Sequence, residues 1–242
     1  MNRDSNTYTF LFATVMVLVV ASALAFTASS LKDLQASNVR KEKMQNILAT
    51  IGIETDREQA EKLYNQYITA EISLTASGEI DQEVKAFEIK LNNELKKPVD
   101  VQRFPLYEAT VDGAKYYIVP LRGAGLWNAI WGYIALKDDK NTIQGAVFDH
   151  TGETAGLGAE ITQQWFQDRF VGEKVFDEQG NLVGINVSKT NNDPKDTDKN
   201  DHEVDAISGA TITGDGVTAM IKERLTHYLP YLKGEQKVAL NQ

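Results

Sequence analysis

An α+β fold, with a single N-terminal transmembrane helix ahead of a domain of mixed β-sheet and flanking helices, is predicted by three observations. Residues 10–28 form an apolar run whose only polar side chains are Thr14, Ser22 and Thr27. Between residues 105 and 150, short runs of β-branched and aromatic residues alternate with Gly- and Asp-rich turns, the texture of paired strands. Beyond residue 213, Val217, Met220, Ile221 and Leu225 recur at helical spacing. Strands followed by segregated helices define the α+β class.

The apolar run is uncharged and about 20 residues long, the length a tilted helix needs to cross a bilayer. A cleaved signal peptide is the competing reading, because Arg3 supplies a weak positive start and Ala23-Leu24-Ala25 resembles a cleavage site. The run continues past that site, which favours a retained anchor over residues 1–31. Flanking charge does not settle orientation. Arg3 is offset by Asp4, and Lys32, Arg40, Lys41 and Lys43 beyond the run argue for a cytoplasmic domain.

Residues 32–104 read as a mostly helical, membrane-proximal region. Val39, Ile47, Leu48 and Ile51 mark one amphipathic segment ending at Gly52, and residues 57–67 a second, capped by Asp56. A helical or extended stretch over 84–97 stops before Pro98. Residues 105–242 form the third segment. Strands are expected at 108–111, 115–121, 132–136 and 142–148, with turns at Asp112-Gly113 and over 137–140. A helix follows over 159–170, with Ile161, Trp165, Phe166 and Phe170 on one side. Residues 173–176 and 181–188 predict a hairpin about Gln179-Gly180, and 189–203, which contains Pro194, an exposed polar loop. The last helix is expected to start at Thr213 to Asp215, one of which caps it.

Composition excludes several functions. A net charge of −9 and the absence of a basic stripe argue against nucleic acid as a partner. With no cysteine, the chain carries no cysteine-ligated iron–sulfur cluster, disulfide pair, c-type haem or lipoprotein anchor. His150, His202 and His227 lack ligand spacing, so no metal site is expected. Ser208 lacks the Gly-x-Ser-x-Gly setting of a hydrolase nucleophile, and no dinucleotide fingerprint follows a strand. No catalytic residue is expected in this chain.

The informative run is Asp205-Ala206-Ile207-Ser208-Gly209-Ala210-Thr211. Gly209 and Ala210 allow close backbone approach, and Thr211 offers a hydroxyl able to become a phosphoester. A phosphate there would lie near the free N–H groups and positive dipole end of the following helix. Taken alone, Ser-Gly-Ala-Thr is an ordinary strand-to-helix turn. Two other glycine-rich loops stand upstream, Gly123-Ala124-Gly125-Leu126-Trp127 and His150-Thr151-Gly152-Glu153-Thr154-Ala155-Gly156-Leu157-Gly158.

The Asp205 to Thr211 run resembles the signal at which bacterial flavin transferases use FAD to esterify FMN to a threonine. With the two glycine loops, in this order, residues 105–220 are similar to the FMN-binding domain family. The N-terminal helix, the segment 41–51 with Gln45-Asn46-Ile47-Leu48, and Leu63-Tyr64-Asn65-Gln66-Tyr67 extend the likeness to the C subunits of Na+-translocating NADH:quinone reductases. Ala155 departs from the pattern, in which proline is common.

The resemblance implies one covalent FMN on Thr211, with Asp205, Ser208, Gly209 and Ala210 completing the transferase signal. It places Glu153, Thr154, Leu157 and Gly158 along the flavin, with Leu126 and Trp127 approaching from the other loop. It also implies an inner-membrane protein whose domain faces the periplasm. Its partners would be a flavin transferase during maturation and the other reductase subunits. Electrons would pass from a partner's iron–sulfur centre to another covalent flavin, coupled in the complex to sodium export. The alternatives are the G-type subunit of an Rnf ferredoxin:NAD+ oxidoreductase, which shares these features, and a tethered flavin-binding sensor or assembly module.

Overall fold

A computed structural model describes residues 5–193 and 197–239. Arg3, Asp4 and Pro194 lie outside the described residues. The chain divides at Lys43 into two units. Helix α1, Asn6–Ala49, carries the apolar run, exposed along its length. It is the one helix among the described residues long and apolar enough to cross a membrane. Its last turns, with Met44, Ile47 and Leu48 buried, belong to the second unit.

That second unit is built on a five-stranded antiparallel meander in the order β1-β2-β3-β4-β5: Ile68–Leu74, Phe104–Val111, Ala114–Ala124, Ala129–Lys137 and Ile143–His150. Asp112 and Gly113, at φ 49 and 83, close the β2–β3 hairpin as a primed turn demands. Asp139 Oδ1 accepts the N–H groups of Asn141 and Thr142 to close the next turn. Both faces of the sheet are covered. One packs against helix α5, Thr211–Ala239, through Tyr117, Val119 and Leu121 to Val217, Met220 and Ile221. The other packs Tyr107, Ala109 and Ile118 against the end of α1 and helix α2, Ala60–Tyr67. Parallel pairing is confined, among the described residues, to two short strands, β6 Asn186–Val187 and β7 Glu203–Val204.

The structure corrects five expectations. The region 32–104 is not helical throughout, because β1 pairs with β2 along the sheet edge; its β-branched Ile68, Thr69 and Ile72 suit a strand. Helix α2 starts at Ala60, three residues late, while Asp56 Oδ1 caps a preceding turn by accepting the N–H groups of Glu58 and Gln59. Residues 84–97 hold only a 3-10 turn, Ala86–Glu88, and helix α3, Leu91–Glu94. Residues 159–170 divide into two 3-10 turns around helix α4, Gln164–Gln167, because Gln163 is extended at ψ 138. There Ile161, Phe166 and Phe170 are buried, but Trp165 is exposed. The expected hairpin shrinks to one bridge, Phe176 to Leu182, because the N–H groups of Val183 and Gly184 both turn to the carbonyl of Val175.

Candidate functional site

Helix α5 begins at Thr211, two residues before the sequence expectation. The N–H of Ala210 closes a turn on the carbonyl of Ile207, and the N–H of Gly214 then reaches the carbonyl of Ala210. The N–H groups of Thr211, Ile212 and Thr213 therefore lie outside the helical i→i−4 ladder, at the positive end of a 29-residue helix. Thr211, Ser208 and Gly209 are exposed, whereas Ile207 and Ala210 are buried. Gly209 adopts φ +74, and a Cβ there would stand 2.8 Å from Leu157 Cδ2. The second glycine loop thus lies directly against the Ser-Gly-Ala-Thr turn.

Glu153 holds the three loops together. Its Oε1 accepts the N–H of Trp127 at 2.9 Å and of Asn128 at 3.5 Å, and its Oε2 accepts the Thr213 hydroxyl at 2.7 Å. Burial raises the carboxyl's pKa, but the Thr213 hydroxyl and the N–H groups of Trp127, Asn128 and Leu126 outweigh it, leaving Glu153 below the ordinary glutamate range. Gly158 is required by this junction: a Cβ would sit 2.5 Å from both Glu153 Oε2 and Thr213 Oγ1. His150, a metal-ligand candidate by residue type alone, closes the same loop by accepting the N–H of Glu153 on Nδ1 at 3.0 Å.

Trp127 is 68% exposed and donates from Nε1 to the Thr154 hydroxyl at 3.2 Å. Leu126, Leu157 and Ile212 are also exposed on these three segments. Together they offer apolar surface beside a hydroxyl and a set of free N–H groups, a donor set suited to a flat aromatic ring bearing a phosphate. Lys189 lies 3.8 Å from Asp215, with both side chains largely in solvent. Asp205 stands apart: it is 6% exposed and faces Arg169, with Nη1 to Oδ2 at 3.2 Å.

The structure therefore brings together Leu126, Trp127, Glu153, Thr154, Leu157, Gly158, Gly209 and the start of α5, and sets Asp205 apart, buried against Arg169. Sequence reasoning missed Thr213 and Arg169. Thr213 follows Ala210 and precedes Val217 on the buried stripe of α5, and a hydroxyl there calls for a partner. Arg169 gives no local signal.

The FMN-binding domain family matches residues 125–226, which hold the second and third loops and the first from Gly125 onward. The C subunit of the Na+-translocating NADH-quinone reductase of Pseudomonas aeruginosa is 32% identical, over 91% of this chain and 91% of that protein. Its counterpart from Vibrio parahaemolyticus is 30% identical, over 89% of each. The crystal structure of the C subunit from Parabacteroides distasonis superposes with a TM-score of 0.75 at 37% identity, covering 84% of this chain and 96% of that one. That of Shewanella oneidensis NqrC, at 22% identity and a TM-score of 0.69, shares the fold. Likeness over most of the chain, together with the FMN-binding domain match, shows that the chain belongs to the NqrC family, the C subunits of the Na+-translocating NADH:quinone reductases.

Proposed function

We propose that this protein is the covalent-FMN electron carrier of its reductase, with the phosphate of FMN esterified to Thr211 and the domain in the periplasm. One observation carries the reading: Thr211 is the exposed first residue of α5, at the free N–H groups of the helix start and two residues after Gly209, which lies against Leu157. In the modification, Thr211 Oγ forms the bond to the phosphorus of the FMN half of FAD. The anhydride bridge breaks, AMP leaves, and the hydroxyl proton passes to solvent.

Bound there, FMN supplies reversible electron transfer that no side chain of this protein offers. The N–H groups of Thr211, Ile212 and Thr213 would hold the phosphate by charge-assisted hydrogen bonds and the helix dipole. Trp127, fixed by Thr154, and Leu157, seated on Gly209, would offer the ring an apolar surface. Glu153 keeps these segments in register with the helix. The chain has no cysteine for an iron–sulfur centre, so electrons enter from a centre on a partner and leave to a second flavin-bearing partner in the membrane. Sodium export is a property of the assembly.

Coexpression of the full chain with a flavin transferase, followed by intact mass and in-gel flavin fluorescence under denaturing conditions, tests the reading. The expected result is a gain of FMN less water on the peptide containing Thr211. An unmodified chain, under conditions that load a known acceptor, refutes it.

A further inference from the structure

Asp205 opens the transferase signal, yet in the folded domain it is out of reach. Along the run, Asp205, Ile207 and Ala210 are each 6% exposed, whereas Ser208, Gly209 and Thr211 face solvent. An enzyme docking on the folded surface meets the second set and not the first. The Asp205 carboxylate instead faces Arg169, on the 3-10 turn Asp168–Phe170, with Nη1 to Oδ2 at 3.2 Å. The side chains are 19% exposed for Arg169 and 5% for Asp205. Oδ1 of Asp205 also accepts the N–H of Asp193 at 3.3 Å.

Arg169 is itself held in place. Its guanidinium lies 5.4 Å from the Trp165 ring, its carbonyl accepts Lys199 Nζ at 2.8 Å, and the next residue, Phe170, is fully buried. A buried carboxylate that loses its counter-charge is driven to turn toward water, and that change releases the anchored end of the Ser-Gly-Ala-Thr turn.

We propose that Arg169 is a positioning residue for flavin transfer: through Asp205 it fixes the turn that presents the Thr211 hydroxyl, and Asp205 acts through Arg169 rather than by touching the transferase. The inference rests on the assignment of Thr211 as the FMN acceptor. The transfer itself is unchanged: Thr211 Oγ gains phosphorus, the FAD anhydride bridge breaks, and AMP and a proton leave.

The test uses the full chain in detergent with FAD and a flavin transferase, initial rates being read by intact mass and flavin fluorescence. Arg169→Gln should lower kcat/KM about tenfold or more, chiefly in kcat, because the surface that docks is intact. Asp205→Asn should cost about the same, the double variant should be no slower than either single one, and Arg169→Lys should recover most of the rate. Wild-type rates in Arg169→Gln beside a slow Asp205→Asn would show that the transferase reads Asp205 directly, and would overturn the inference alone. A wild-type chain that takes up no FMN overturns the acceptor assignment and this inference with it. If Arg169→Gln does not fold, amide exchange over residues 208–211 in Asp205→Asn decides: faster exchange supports the inference, unchanged exchange overturns it.

Discussion

The Thr213 hydroxyl donates a 2.7 Å hydrogen bond to Glu153 Oε2, joining the first turn of α5 to a loop sixty residues earlier. The bond is buried and its acceptor is charged, so removing the donor costs about 1.5–3 kcal/mol. Thr213→Val should lower stability by that amount in chemical denaturation followed by tryptophan fluorescence, and Thr213→Ser should recover most of it. A loss in Thr213→Ser with none in Thr213→Val would mean that the methyl group, not the hydroxyl, matters.

The same junction sets a pH dependence. Glu153 lies below its ordinary value of 4.5 in the folded chain, because its hydrogen bonds outweigh the opposing effect of burial. Between the folded value and 4.5 the unfolded chain binds more protons, so stability rises with pH across that window. This contribution is complete above 4.5 and is lost as pH falls through the folded value. The stability gap between wild type and Glu153→Gln should therefore narrow as pH is lowered, measured by denaturant midpoints. A constant gap would exclude the carboxylate as its source.

Gly158→Ala should be destabilising by about 1–3 kcal/mol, because its Cβ would press on both Glu153 Oε2 and Thr213 Oγ1 at 2.5 Å. Combining it with Thr213→Ala removes one of the two obstructing atoms. The cost of the alanine at 158 should then be smaller than in the wild-type background, a coupling that a double-mutant cycle measures.

Thr211→Val should abolish covalent flavin, since valine keeps the shape and loses the nucleophile. Thr211 is exposed, so stability should change by no more than about 0.5 kcal/mol. Mass and in-gel fluorescence read the first quantity and denaturation the second. Flavin persisting on the variant would refute the acceptor assignment.

The opposite end of α5 is tied by Tyr228, whose buried hydroxyl donates to the carbonyl of Pro105 at 2.8 Å across 123 positions. Tyr228→Phe leaves that carbonyl unpaired and should cost about 1–3 kcal/mol in thermal or denaturant unfolding. Burial pushes the phenol far above its ordinary value of 10.0, so above that pH the unfolded chain sheds the proton first and stability falls as pH rises further.

Patterns that repeat over a few residues were legible. The uncharged run at 10–28 announces its helix by apolar length alone, whereas the alternation from Phe104 to His150 and the stripe from Val217 to Leu225 announce theirs because burial of one face imposes a period of 2.0 or 3.6. The Ser-Gly-Ala-Thr motif was equally readable, since Gly209 at φ +74 and the helix start after it are local geometry. Short elements fared worse. Strand β1 lay hidden in a helical context, and residues 159–170 broke at Gln163, because no single period governs segments so short.

The sequence by itself determined the long apolar N-terminal helix, the antiparallel strands with their turns, and the hydroxyl on which the FMN reading rests. Only the tertiary structure decided that Glu153 spends both carboxylate oxygens on Trp127, Asn128 and Thr213, that Leu157 seats on Gly209, and that Arg169 underlies Asp205. Periodicity records which face of an element is buried. Which buried groups meet across sequence separations of 36 or 60 is fixed by the packing of the sheet against its helices, and no local pattern encodes it.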